Sequence, residues 1–126
     1  MIVRVEPQSP TDVHLKSEGR ATVAQLIDLS INGLGLRVGQ ADYSPTFKPG
    51  TSIQVNMQLP SGKIRSRATV LSVVRIDEHY RLSLRFIGND TQKKMIFKYL
   101  VDRRSEIEQE LEEEYERALR NKGAAS

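Results

Sequence analysis

Apolar residues recur at period two through most of the first 87 positions and then change to a helical period. The clearest run is Thr51 to Leu59, where Ile53, Val55, Met57 and Leu59 alternate with Gln54, Asn56 and Gln58, one face dry and the other wet. Leu34, Leu36 and Val38 alternate likewise, and Tyr80, Leu82, Leu84 and Phe86 face away from Arg81, Ser83 and Arg85. Val13 to Leu15 reads as a short strand, and Arg20 to Leu29 as a longer one with apolar residues on both faces, which suits a central position. Lys63 to Ile76 is long enough to cross a small barrel and bend. Its predicted inward set is Ile64, Ala68, Val70, Val74 and Ile76, several of them small, as a barrel interior requires. Pro7 and Pro10 make the first twelve residues, which include Arg4, an extended or flexible arm. Gly39 to Gly50, with two prolines and two glycines, holds no regular element.

The turn Asp77-Glu78-His79 places Ile76 opposite Tyr80 and Arg75 opposite Arg81, with Arg65, Arg67 and Arg85 on the same outward face. Like charges facing each other across a sheet are unfavourable unless a carboxylate or another anion lies between them. The face is either a solvated exterior with local acidic partners or a patch that contacts an anion.

Gly88-Asn89-Asp90-Thr91 offers N-caps for a helix starting near Gln92, with Met95, Ile96, Tyr99 and Leu100, then Ile107, Leu111, Tyr115 and Ala118 or Leu119 at helical spacing. About 30 residues of helix would reach roughly 45 Å, too long for the side of so small a barrel. The expected division is a domain of residues 1–102, including the arm and the start of the helix, and a projecting helix with a frayed tail over 103–126, the fraying from Asn121. Phe97, Arg104, Leu111 and Ala118 at a positions, with Leu100, Ile107 and Glu114 at d, make a broken heptad seam. Its glutamate-rich flanks weaken an isolated helix. Self-association and docking on another protein both fit it.

Composition narrows the class. The 126 residues fit one domain, 38% hydrophobic and 28% charged, and no apolar run approaches the roughly 18 to 20 residues that span a bilayer. Without cysteine there are no disulfides and no thiolate metal sites; with no secretory signal pattern at Met1 to Val5, a cytoplasmic setting is expected. Residues 1–90 hold 11 Lys and Arg against 8 Asp and Glu, while 91–126 hold 8 of each, so the whole net charge of +3 belongs to the first part. So small a surplus suits a compact anionic ligand better than a nucleic-acid polymer, and aromatics at 6% offer no base-stacking platform.

Between two apolar runs, Asp28-Leu29-Ser30-Ile31-Asn32-Gly33 packs carboxylate, hydroxyl, amide and glycine into one turn. Such a turn is either a structural hairpin or a ligand-facing surface, since Asp and Ser can hold neighbouring backbone and glycine permits positive φ or close approach. Catalysis is not expected. His14 and His79 stand in unrelated contexts, HExxH, GxSxG and GxxxxGK(S/T) are absent, and Ser30 has no nearby histidine base.

Asp28-x-Ser30-x-x-Gly33, followed by Leu34-x-Leu36, resembles the (D/N)xSxxG motif of PilZ domains, the bacterial receptors for cyclic di-GMP. The resemblance covers roughly residues 4 to 102 and includes the arm, the strand order, Leu84-Arg85-Phe86 and the following helix. It implies a mainly β fold, a small six-stranded antiparallel β-barrel with a long C-terminal α-helix. It also implies that cyclic di-GMP is clasped between the motif and an N-terminal RxxxR arm, with Arg4, Asp28, Ser30 and Gly33 as ligand residues. Arg4 stands where the second arginine of the arm falls, and the first would precede Met1. Arg75, Arg81 and Arg85 are candidates for extra anion contacts. The implied function is a non-enzymatic signalling module without cofactor or metal, whose flexible arm orders over the ligand. It would relay binding to a partner protein or to its own oligomeric state. The competing reading is a ligand-free adaptor acting through the helix.

Overall fold

A computed structural model describes residues 4–88 and 90–124. The strands are β1 (Asp12–Ser17), β2 (Arg20–Leu29), β3 (Gly33–Gly39), β4 (Ser52–Leu59), β5 (Gly62–Ile76) and β6 (His79–Ile87), followed by the helix α1 (Asp90–Ala124). All pairings are antiparallel, and the sheet closes into a barrel in the order β1-β2-β3-β6-β5-β4. Period-two patterning explains the closure. Leu15, Leu34, Leu36, Ile53, Val55, Ile64, Leu82 and Leu84 all point into one core, while their sequence neighbours face outward. The loop after β3 plugs this core with fully buried Phe47, and Tyr43 stacks on Tyr80 at 3.8 Å between centroids.

The β5–β6 hairpin differs from the expected register. Its turn has two residues, Asp77 and Glu78, rather than three, with Asp77 at φ 53°, in the left-handed region that aspartate tolerates. Ile76 therefore pairs with His79 and Arg75 with Tyr80, while Val74 lies opposite Arg81. A bulge between Val70 and Ser72 leaves Leu71 unpaired with β6 and resets the alternation. Val73 continues the inward row, whereas Val74 and Ile76, expected inside, are exposed.

Ile96, Tyr99 and Leu100 bury the first turns of α1 against the barrel, and Ser61 Oγ donates to the Met95 carbonyl at 3.1 Å. Gly62, at φ 144°, makes room for this seat, since a Cβ there would stand 2.7 Å from Met95 Sδ. Burial raises the Tyr99 hydroxyl pKa above the ordinary phenol value, partly offset by the Arg103 cation, with Glu106 raising it further. From Arg104 to Asn121 the helix is exposed apart from half-buried Ile107. It stays helical through Ala124, beyond the expected fraying point at Asn121, while 125 and 126 lie outside the described residues. The expected N-caps rest on Asn89 and on the Asp90 and Thr91 side chains, which also lie outside them. Among the described residues no helix is long and apolar enough to cross a membrane.

Candidate functional site

A second bulge builds the site. The β2–β3 register shifts between Leu26 and Asp28, which sets Asp28 opposite Gly35 on the outer face of the barrel. There the carboxylate, 15% exposed, takes two guanidinium groups: Arg4 Nη1 donates to Oδ1 at 3.1 Å and Arg81 Nη2 donates to Oδ2 at 3.2 Å. Arg81 also lies directly opposite Arg37 across β3–β6. The like-charge pairing predicted for β5–β6 thus occurs one strand away, and the Asp28 carboxylate offsets it.

The turn beyond Asp28 is closed on itself. Ser30 N–H donates to the Gly33 carbonyl at 2.8 Å, Ser30 Oγ donates to the same carbonyl and Gly33 N–H donates to Ser30 Oγ, both at 3.2 Å. Ser30 is buried, so its hydroxyl fixes the turn in this structure. Gly33 has no left-handed φ; its need is steric, because a Cβ would stand 2.1 Å from the Leu84 carbonyl oxygen.

The arm is docked as well. Val5 N–H donates to the Leu29 carbonyl at 3.0 Å, Leu29 N–H donates to the Val5 carbonyl at 2.9 Å, and the Val5 side chain is buried. Directly after it, Arg103 Nε of α1 donates to the Glu6 carbonyl at 2.9 Å. Of the extended or flexible arm expected, Arg4 and Val5 follow the extended alternative: the backbone ladder and the Asp28 ion pair hold them against β2.

Beside the turn lies an open groove of about 490 Å³ lined by Arg4, Ser30, Asn32, Gly33, Leu71, Leu84 and Arg85. The structure thus brings together Arg4, Asp28, Ser30, Gly33, Arg81 and Arg85. Arg75 is not among them, since it pairs with Tyr80 and so leaves the sheet on the opposite face from Arg81. Besides Asn32 and Leu84 in the groove lining, two further residues that bear on the site were not predicted from sequence. Gly35 lies beneath Asp28, and Leu71, 51% exposed, enters the groove because of the β5 bulge. A glycine inside an alternating strand signals close approach, whereas no pattern in the sequence marks the bulge.

A larger groove, about 950 Å³, runs between residues 9–12 and the β4–β5 hairpin, where Asp12 and His14 face Lys63 and Arg65. Its charge is mixed and it holds none of the predicted ligand residues. Among the described residues no cluster of three His, Cys, Asp or Glu could hold a metal ion.

Solved structures of similar fold include the PilZ domain of YcgR from Escherichia coli with c-di-GMP, at 19% identity and a TM-score of 0.70 over 88% of this chain and 95% of that one. The MrkH–c-di-GMP complex of K. pneumonia matches at 18% identity and a TM-score of 0.75 over 86% of this chain. The inhibitor of motility MotI/DgrA of Bacillus subtilis matches at 17% identity and a TM-score of 0.69 over 83% of this chain. The chain spans 54% of MrkH and 50% of MotI/DgrA. No curated protein matches it in sequence. A PilZ domain family model matches residues 3–103, four-fifths of the length, and the chain therefore belongs to the PilZ domain family.

Proposed function

We propose that this chain is a cyclic di-GMP-binding signalling module, with Arg4, Asp28, Ser30 and Gly33 as its principal ligand residues and Arg81 and Arg85 as anion contacts. The observation that carries the reading is the pair of arginines on one Asp28 carboxylate at the rim of the groove. Guanine presents N1–H and N2–H donors that Asp28 can accept, and N7 and O6 acceptors that a guanidinium can meet in a bidentate way. Binding exchanges partners: guanine takes the carboxylate, and the released Arg4 and Arg81 turn to phosphate and to the guanine Hoogsteen edge. Leu71 supplies an apolar wall for a base. Arg75, set on the other face, has no part in this version of the site.

The same exchange gives a relay. Arg4 and Glu6 are two residues apart, one held by Asp28 and the other by Arg103 of α1. Moving Arg4 onto a ligand shifts the backbone that Arg103 grips, so the signal enters the helix and reaches a partner protein or a second copy. The module is a receptor rather than a catalyst in this reading, and it works in the cytoplasm.

Calorimetry on the intact chain and on Asp28→Ala tests the proposal. Heat of binding with the intact chain and its loss in the variant are expected; no heat at high micromolar cyclic di-GMP overturns it. A ligand-independent adaptor is the second reading, favoured by the docked arm and by the neutralised Arg4 and Arg81. Binding of a partner through the helix with no response to ligand would establish it.

A further inference from the structure

Barrel and arm cover one face of α1 through Ile96, Tyr99, Leu100 and Arg103, and a second stripe runs along the outward face. There Phe97, Val101, Leu111 and Tyr115 are exposed, the last two at 61% and 66%. They share alternating intervals of four and three with exposed Arg104 and Glu108. The heptad expected from sequence used Leu100 at d, which the barrel buries; the free seam instead takes Lys94, Val101, Glu108 and Tyr115 at a, with Phe97, Arg104, Leu111 and Ala118 at d.

We propose that this stripe is a homodimer interface in which a second copy of the chain lies antiparallel, with the two-fold axis passing at Glu106. In that register Arg104 meets Glu108 of the second copy, Val101 meets Leu111, and Phe97 meets Tyr115. On the flank Lys98 meets Glu112. Every contact is made twice, as an isologous interface requires.

Charge chooses both the partner and its direction. From 93 to 104 the helix carries five Lys and Arg against one Asp, and from 106 to 116 it carries seven Glu with no Lys or Arg. Antiparallel pairing lays each basic half along the partner's acidic half, relieving the self-repulsion that weakens the acidic segment alone. A parallel pair would instead set Arg104 on Arg104 and Glu108 on Glu108 inside the seam. The seam from Lys94 to Ala118 spans about 36 Å, roughly three and a half heptads. This inference deepens the proposed relay by naming the partner, but the dimer itself needs no ligand.

Sedimentation equilibrium of the full chain without ligand, from low to high micromolar, tests it. The intact chain should tend to twice the monomer mass, Arg104→Glu and Glu108→Arg should each return it to monomer, and the double swap should restore the dimer. The double swap also restores the Arg104–Glu108 ion pair within one helix, now 3.2 Å, so the readout specific to a second copy is the cross-link between positions 101 and 111, which leaves that pair untouched. In the cysteine-free chain, Val101→Cys combined with Leu111→Cys should oxidise to a linked dimer, while Val101→Cys alone should not. A monomer at every concentration, or cross-linking through Val101→Cys alone, overturns the proposal. Ligand calorimetry reads the proposed function separately, so either idea can fail without the other.

Discussion

Gly35 lies opposite Asp28 across the β2–β3 ladder, and a Cβ on Gly35 would stand 2.7 Å from Asp28 Oδ1. The carboxylate therefore rests on bare backbone, at the height where Arg4 and Arg81 both reach it. Gly33, two residues earlier, is bare for another reason: a Cβ there would meet the Leu84 backbone carbonyl at 2.1 Å. A side-chain tip can swing aside, whereas a strand carbonyl cannot.

The two glycines should consequently fail in different ways. Gly33→Ala forces β3 from β6 and should lower stability by about 3 kcal/mol, in the range of overpacked interiors. Gly35→Ala should change stability by less than about 1 kcal/mol, because the displaced ion pairs are partly solvated. It should nevertheless weaken cyclic di-GMP binding by at least about tenfold, or 1.4 kcal/mol. Thermal unfolding and calorimetry on both variants separate the outcomes, and equal melting temperatures for the two would contradict the assignment.

Arg81 should count for binding and hardly for folding. Its guanidinium is about two-fifths exposed, so the Asp28 pair adds no more than about 1 kcal/mol to stability. Removing it also relieves the opposed Arg37, which reduces the loss further. Arg81→Ala should melt within a few degrees of the parent, yet lose about 10- to 100-fold in ligand affinity, the range for a charge-assisted hydrogen bond. Arg75→Ala is the matched control, expected to leave affinity within about twofold.

Most of the barrel was legible in the sequence because alternation is a direct record of which face is buried. Thr51 to Leu59 shows this best: every apolar residue expected inside, Ile53, Val55, Met57 and Leu59, is buried. Errors began where one residue interrupts the count. The extra Leu71 and the two-residue turn at Asp77 and Glu78 moved Arg75, Val74 and Ile76 to other faces than expected. A bulge leaves no compositional trace, since Leu71 reads like any apolar strand residue. Asp28 and Arg4 could be paired from the motif, but Arg81, 53 residues away, meets Asp28 only through the closing register of β3 with β6. The docking of the arm was also hidden, because Val5 and Glu6 are held through backbone groups that carry no residue signature.

Leu71 supplies a test of the groove itself. It is exposed and unpaired, so Leu71→Asp should leave the fold within about 0.5 kcal/mol of the parent, as surface substitutions do. In the groove it would replace an apolar wall with a negative charge beside the phosphates of the proposed ligand. Cyclic di-GMP affinity should then fall by at least about tenfold. Unchanged affinity would place the ligand away from the β5 bulge.

Arg103 is where binding and relay can be separated. Its side chain is 11% exposed, with Nε on the Glu6 carbonyl and Nη1 near Glu106 at 3.1 Å and Glu110 at 3.6 Å. None of these atoms reaches the groove, so Arg103→Ala removes the grip on the arm without removing a ligand contact. The orphaned carbonyl and the lost packing should lower stability by about 1 to 2 kcal/mol. Calorimetric affinity should stay within about threefold, because Arg4 remains tied to the barrel through the Val5–Leu29 ladder. Hydrogen exchange along residues 99–110 should respond to cyclic di-GMP in the intact chain and lose that response in the variant. Should the response persist without Arg103, the signal would have to reach α1 through the buried Ile96 and Leu100 seat.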